Sequence, residues 1–381
     1  MKPVEHYAAR EQTYLKHFFL ESYLERVAWV IGWSHPQFVY VDGFSGPWKS
    51  DNEKFEDTSF VIAMDKLRAV RDGLAEKGKR CDVSCLFIEK DPTAFAALNQ
   101  HVGNVTDMNV RALCGEFEAV IPDILDFIGS SFSLVFIDPT GWKGFGLNRI
   151  RPILEHRPGE VLVNFMFDYI NRFLEDPRPE IAQTFDELFG GPGWRNALQA
   201  DRSEEAIVDL YKERMRAAGG FEHVTWTRIL KPTSDRSYFY LHYGTRHRRG
   251  LEEFRKVEKL SVAEQERIRP AAKQLERVSR TGQPELFSAD SAPTPSSYES
   301  ERAEHLTQAT GKLRLLLRTR SRVAFDEALT LMLETPLVWA SDVQKILGDM
   351  RDAGEVEIAG LKHRERTLKG RFRTQHHLQD D

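Results

Sequence analysis

Four acidic side chains each close an apolar run: Asp42 in "VYVDGFSGP", Glu89 in "VSCLFIEKD", Glu116 in "NVRALCGEF" and Asp138 in "FSLVFIDPTGW". A carboxylate accepts several hydrogen bonds at once, so such residues suit a ligand rich in donors. Asp42 would take an amino group, directly or through water, Glu89 a pair of vicinal hydroxyls, and Glu116 an exocyclic amine. Gly43, Phe44 and Gly46 form a turn after Asp42, and glycine there lets backbone approach a ligand closely. Phe117, next to Glu116, can stack on a flat ring. Asp138 and Pro139 open a glycine-flanked loop that carries Trp142 and Lys143. That set would orient a target amine, stack its ring and meet a phosphate. Each residue also has a plainer reading: an ordinary turn at Gly43, a solvated strand end at Glu89, a helix-start acid at Glu116, a tryptophan capping the core, and a solvated Lys143.

The elements that must hold these residues alternate. Residues 11 to 32 repeat Leu15, Phe18, Phe19, Tyr23, Val27 and Val30 at helical spacing, with Lys16 and His17 on the same helix. The four runs above read as buried strands, and "GEVLVNFMFDYI" as a fifth, with Asn164 and Asp168 at its end. Helical stretches separate them: near 58 to 77, from Pro92, around Pro122 and at "NRIRPILEH". Residues 171 to 220 read as mostly helical. "HVTWTRIL" and "RSYFYLHYG" then form an antiparallel hairpin at a sheet edge. Alternating buried strands and helices imply βαβ units and a parallel sheet, whose ligands bind outside the carboxyl ends of the strands. Asp42, Glu89 and Asp138 would then face one crevice. A parallel sheet closed by such a hairpin is also how S-adenosylmethionine (SAM)-dependent methyltransferases end, so the expected fold is Rossmann-like α/β. On that layout Gly43 and Gly46 would hold the methionine and ribose portions of SAM, Glu89 the ribose hydroxyls, and Glu116 with Phe117 the adenine.

Bulk properties exclude other classes. The net charge over 381 residues is −5, so any nucleic-acid surface must be local. Cys81, Cys85 and Cys114 are too few and too unevenly placed for a disulfide framework. No Cys/His cluster supplies metal ligands, and buried structural thiols are expected. No run reaches the roughly 18 apolar residues of a membrane span, and "MKPVEHYAAR" lacks the apolar core of a signal peptide. The expectation is a cytoplasmic protein.

The texture changes from Thr245. Residues 1–250 read as the α/β domain, 251–280 as a charged helical extension, 281–300 as a Ser/Pro/Ala-rich flexible linker, and 301–381 as a small helical domain. In the last, "VAFDEALTLMLE" reads as a helix and "TPLVWAS" as a turn and short strand. In "SDVQKILGDMRDAGEVEI" Ser341 would be the N-cap and Gly354 the C′ residue of a helix leading into a strand. That order is the winged helix-turn-helix order. Lys362, Arg364, Arg366, Lys369, Arg371 and Arg373 crowd the presumed wing, with Phe372 among them, and suit phosphate contacts. A solvated tail or a protein-binding surface is the plainer alternative.

With these residues in place, the chain resembles the three-Cys-motif partner family (TcmP). The likeness lies in the opening helix with Lys16, "VDGFSGP", "FIEKDP", the "GEF" turn and "FIDPTGWKG". It implies a methyltransferase-like fold with SAM as cofactor, a C-terminal winged helix and a radical-SAM-like partner protein that carries three cysteines. The chain departs from the family at Trp48, where a glycine is usual, and at Thr140, where an aromatic is usual. Three functions stand open: a SAM-dependent methyltransferase acting on nucleic acid, an inactive adaptor of methyltransferase fold, and a winged-helix DNA-binding regulator.

Overall fold

A computed structural model describes residues 3–7, 10–46, 58–281, 297–361, 368 and 373–376. The chain divides into two compact units. The first comprises Met1–His247 and Ser261–Arg280, the second Arg248–Leu260 and Thr281–Asp381.

The first unit is a seven-stranded mixed sheet with helices on both faces. It begins with α1 (Glu11–Gly32) and β1 (Gln37–Asp42), then α2 (Ser59–Glu76), β2 (Asp82–Glu89), α3 (Pro92–Gly103), β3 (Asn109–Cys114), α4 (Ile121–Ile128) and β4 (Phe132–Ile137). It continues through α5 (Leu147–Glu155), β5 (Gly159–Phe165), α6 (Phe167–Phe173), α7 (Pro179–Leu188), α8 (Trp194–Ala197), α9 (Glu204–Gly219), β6 (His223–Leu230) and β7 (Ser237–Thr245). The strands lie in the order β3-β2-β1-β4-β5-β7-β6. β1 to β5 run parallel, while β7 is antiparallel to both β5 and β6. The expected parallel sheet with a closing hairpin is therefore present. The order reverses between β1 and β4, which opens a crevice at the carboxyl ends of those strands.

The strands read as continuous apolar runs because both faces are covered. Val39 and Val41 of β1, Ile137 of β4 and Val163 of β5 join one core with α4, α5, α7 and α9. Alternate residues turn to the other face, since strand side chains have a period of two. There Tyr40 meets Phe87, and Phe60 of α2 packs on the same Phe87. Tyr23 of α1 donates to Glu160 of β5 at 2.7 Å, and Thr245 donates to the other oxygen of that buried carboxylate at 2.9 Å. Asp42, Glu89, Asp138 and Asn164 lie on the α1/α2 face at the carboxyl ends of their strands.

Some boundaries differ from the sequence reading. β5 ends at Phe165, and "FDYI" begins α6 instead of extending the strand. A short apolar run fits strand and helix alike, and here the chain turns at Met166. Cys81 and Cys85 are buried, but Cys114 is exposed at the end of β3. Among the described residues no helix is long and apolar enough to cross a membrane, and no group of His, Cys, Asp or Glu side chains could hold a metal ion.

A single helix, α10 (Arg248–Thr281), supplies residues to both units. The second unit continues with α11 (Ser297–Thr319), β8 (Val323–Ala324), α12 (Phe325–Leu333), α13 (Ala340–Asp352), β9 (Val356–Ala359) and β10 (Arg373–His376). Its three-stranded antiparallel sheet has the order β8-β10-β9. "TPLVWAS" forms no strand: Leu337 adopts φ 60° in a turn, and Val338 is buried as a loop side chain. The helix after it starts at Ala340, so Ser341 lies inside it, and Asp342 accepts from the Trp339 amide at 2.9 Å. Gly354 takes the positive φ, 74°, expected just past the helix end.

Within this unit Arg255 and Glu258 form an ion pair at 2.5 Å that is almost wholly buried. Arg255 also donates to the Leu333 carbonyl, and Glu258 accepts from the Leu337 amide and the Trp339 indole. Burial pushes the guanidinium's pKa down and the carboxyl's up, and each charge offsets part of that cost for the other. Replacing Arg255→Met leaves a buried carboxylate unmatched and should cost on the order of 3–5 kcal/mol. The paired change Arg255→Met with Glu258→Leu should cost clearly less, and urea denaturation of the full chain measures both.

Candidate functional site

A cavity of about 690 Å³ lies at the carboxyl ends of β1, β2, β4 and β5. Its lining comes from the start of α1, the turn after β1, the start of α2, the turn after β2, Gly115 and Phe117, the loop after β4, the segment from Asn164 to Tyr169, and Tyr238 with Phe239.

The turn after β1 is laced to its neighbours. Gly43 N–H donates to the Phe136 carbonyl at 2.9 Å, and Ser45 N–H to the Ile88 carbonyl at 2.8 Å. A Cβ on Gly43 would sit 2.7 Å from the Phe117 ring, so glycine is required by close approach. Phe44 packs on Phe117, ring centres 5.7 Å apart. Gly43, Phe44, Gly46 and Phe117 all line the cavity. Pro47 and Trp48 lie outside the described residues.

Asp42 does not line the cavity. It is fully buried, and its oxygens accept from the Phe44 amide at 3.1 Å and the Ser59 hydroxyl at 2.7 Å. It ties the turn to α2. Burial outweighs these bonds and lifts its pKa to about 6. Glu89 is buried at the end of β2 but does face the cavity, with Oε1 accepting from the Asp91 amide at 2.6 Å.

Glu116 departs from its expected role. It is exposed and outside the cavity lining, and its backbone carbonyl accepts from Ala119 and Val120. The chain turns at Gly115 so that Gly115 and Phe117 face inward and Glu116 outward. Trp142 also follows its plainer reading. Its indole donates to Thr184 at 2.9 Å and lies parallel to Phe185 with Phe173 alongside. An edge of it lines the cavity, but its ring is committed to the core. Lys143 is exposed at the rim.

Asp138 is held from two elements. Lys16 Nζ lies 2.5 Å from its Oδ2, and Asn164 Nδ2 donates to its Oδ1 at 2.6 Å. One carboxylate thus joins α1, the end of β4 and the end of β5. The amide of Asn164 must present nitrogen here, because its oxygen would face carboxylate oxygen. Asp168 takes no part: it pairs with Lys231 at 2.7 Å. His17, beside Lys16, is buried against Tyr7, and burial with the Lys16 charge lowers its pKa to about 3. It is neutral at pH 7 and no strong base. The site therefore offers a held carboxylate, an ammonium and flat apolar walls, without a nucleophile–base pair.

The sequence reading did not single out Met166, Tyr169, Tyr238 and Phe239. They come from a helix start and a hairpin strand, and nothing local in their sequence marks them as cavity residues.

No protein-family model matches the chain, and no curated protein matches it. Among solved structures, protein LPL1258 from Legionella pneumophila is 12% identical, covering 60% of this chain and 84% of its own, with a TM-score of 0.34. Cofactor-bound Rv0187 from MTB is 13% identical over 60% of this chain and 79% of its own, TM-score 0.32. A loganic acid methyltransferase with SAH is 9% identical over 69% and 88%, TM-score 0.30. Superpositions this loose carry no argument about function, which rests on the chain's own residues.

Asp42 gives a pH test. Its folded pKa, about 6, lies above the ordinary aspartate value of 3.8. The ionised form therefore penalises folding above pH 6, and the penalty fades as pH falls towards 4. Asp42→Asn removes that term, so its stability relative to wild type should improve by roughly 2 kcal/mol between pH 4 and pH 7. Denaturation at the two pH values, with an NMR titration of the Asp42 carboxyl, checks it.

Proposed function

We propose that the first unit binds SAM and transfers its methyl group to an amine on a nucleic-acid base. The observation that carries this reading is the placement of the Asp138 carboxylate, held by Lys16 and Asn164, in the same cavity as Glu89 and the Gly43–Gly46 turn. The residues fit the cofactor. Glu89 has a second oxygen for vicinal hydroxyls, the turn offers close backbone, and Phe117 offers an apolar wall. A 690 Å³ cavity is within the range that holds a small-molecule ligand. SAM supplies a methyl group already activated on a sulfonium. Asp138 would accept a hydrogen bond from the target amine and orient its lone pair, and the cavity walls would exclude water. The demand on the protein is alignment rather than strong acid–base chemistry, which agrees with a neutral His17.

The second unit supports the nucleic-acid part. Helix, short strand, two helices and two strands around a three-stranded sheet is the winged-helix order. On α13 the cations are matched: Lys345 pairs with Asp349, and Arg351 with Asp352. Phosphate contacts would come from Arg318 and Arg322, both exposed, and from Arg373 on β10. Lys362, Arg364, Arg366, Lys369 and Arg371 lie outside the described residues. The radical-SAM-like partner rests on the family resemblance alone.

One observation favours a second reading, an adaptor that keeps the fold without turnover. The Trp142 ring is packed on Phe185 and Phe173, so it is not free to stack a base.

Calorimetry with SAM and a labelled-methyl assay together separate the two. The methyltransferase reading expects saturable SAM binding that Glu89→Ala weakens roughly ten- to hundredfold, as loss of hydrogen bonds to a charged group does. It also expects labelled methyl from SAM to appear on DNA or RNA. Binding without any label supports the adaptor, and no binding sinks both cofactor claims.

A further inference from the structure

Lys16 has so far served only to hold Asp138. An ammonium carries three N–H donors and no acceptor, and Asp138 Oδ2 takes one of them. Lys16 and Asp138 both line the cavity, with side chains 18% and 12% exposed. Each oxygen of Asp138 has a further lone pair after its bond to Lys16 or Asn164. The site therefore presents an acceptor and a donor side by side, 2.5 Å apart, with the carboxylate immobilised from its far side by Asn164.

From this juxtaposition we infer that Lys16 and Asp138 together read an amidine edge, an amine beside a ring nitrogen on the same carbon, on the target base. The inference rests on the methyltransferase reading and names its substrate class: aminopyrimidine or aminopurine bases. Asp138 accepts from the amine, and Lys16 donates to the neighbouring ring nitrogen. The two nitrogens of an amidine share one carbon, so they lie about as far apart as Oδ2 and Nζ and take two near-parallel bonds. An isolated amine or hydroxyl would use only half of the pair. Pro139, Met166, Tyr169, Tyr238 and Phe239 wall the same cavity with the apolar and aromatic surface that suits a flat ring. Lys16 is thus a specificity-determining residue, supplied from α1, far in sequence from the acid it serves.

The test uses the full-length protein, tritiated SAM and single-stranded homopolymers of A, C and U, with calorimetry for SAM on every variant. Label is expected on A or C and not on U. Lys16→Met should lower kcat/KM roughly ten- to hundredfold with SAM affinity unchanged, and Lys16→Arg, which keeps donor and charge, should restore part of it. A strand whose target base has C–H in place of that ring nitrogen should cost the wild type a similar factor and cost Lys16→Met nothing more, which a merely structural ion pair would not produce. A good deaza substrate, or an unaffected Lys16→Met with normal SAM binding, overturns the inference alone, and label on U overturns the amine-directed reading together with it. Absence of SAM binding in the wild type overturns the underlying reading and this inference with it.

Discussion

A carboxylate at the end of a buried strand must find partners or lose its charge, and the first unit is arranged around how Asp138 finds them. Lys16 reaches it from α1 and Asn164 from β5. Those bonds pin the opening helix over the sheet's carboxyl edge and bring two distant segments to one cavity. The Asp42 turn beside it is held by a different logic. There a buried acid serves the backbone amide of Phe44 and the hydroxyl of Ser59, and shapes the loop from behind. Two acids at neighbouring strand ends thus do unlike work because one is enclosed and the other opens on the cavity.

The sheet was largely legible in the sequence because β1, β2, β4 and β5 are covered on both faces and read as unbroken apolar runs ending in polar residues. The hairpin of β6 and β7 was legible from two strand-like runs joined by "KPTSD". Local pattern failed where geometry is tertiary. Residues 16 and 138 share no motif, and only packing of α1 on the sheet brings them together. Glu116 looked like its fellow acids but turns outward after Gly115. Trp142 looked available, yet its fate was set by Phe173, Thr184 and Phe185 on α6 and α7, elements whose placement no spacing reveals. The boundary at Met166 was hidden because "NFMFDYI" satisfies strand and helix patterns equally.

The second unit shows the same division. Gly354 ended its helix as expected because a left-handed residue has a strong local requirement. The start of that helix moved to Ala340 because the Asp342 side chain caps the Trp339 amide, which competes with any cap from Ser341. The buried Arg255–Glu258 pair belongs to a helix that looked simply charged.

The insertion of β7 between β5 and β6 also sets an order of assembly. β5 is buried on both faces, and its outer edge pairs with β7, the last strand of the sheet in the chain. As the protein emerges from the ribosome, β1 to β5 can align while that edge stays open, because β6, made before β7, takes its place beyond β7 in the sheet. The hydrogen-bonding row of a central strand therefore stays exposed until Ser237–Thr245 has been made. The buried carboxylate of Glu160 waits equally long for the Thr245 hydroxyl. A nascent chain stalled short of residue 245 presents a long unpaired edge, the part of this fold most exposed to pairing with the wrong strand.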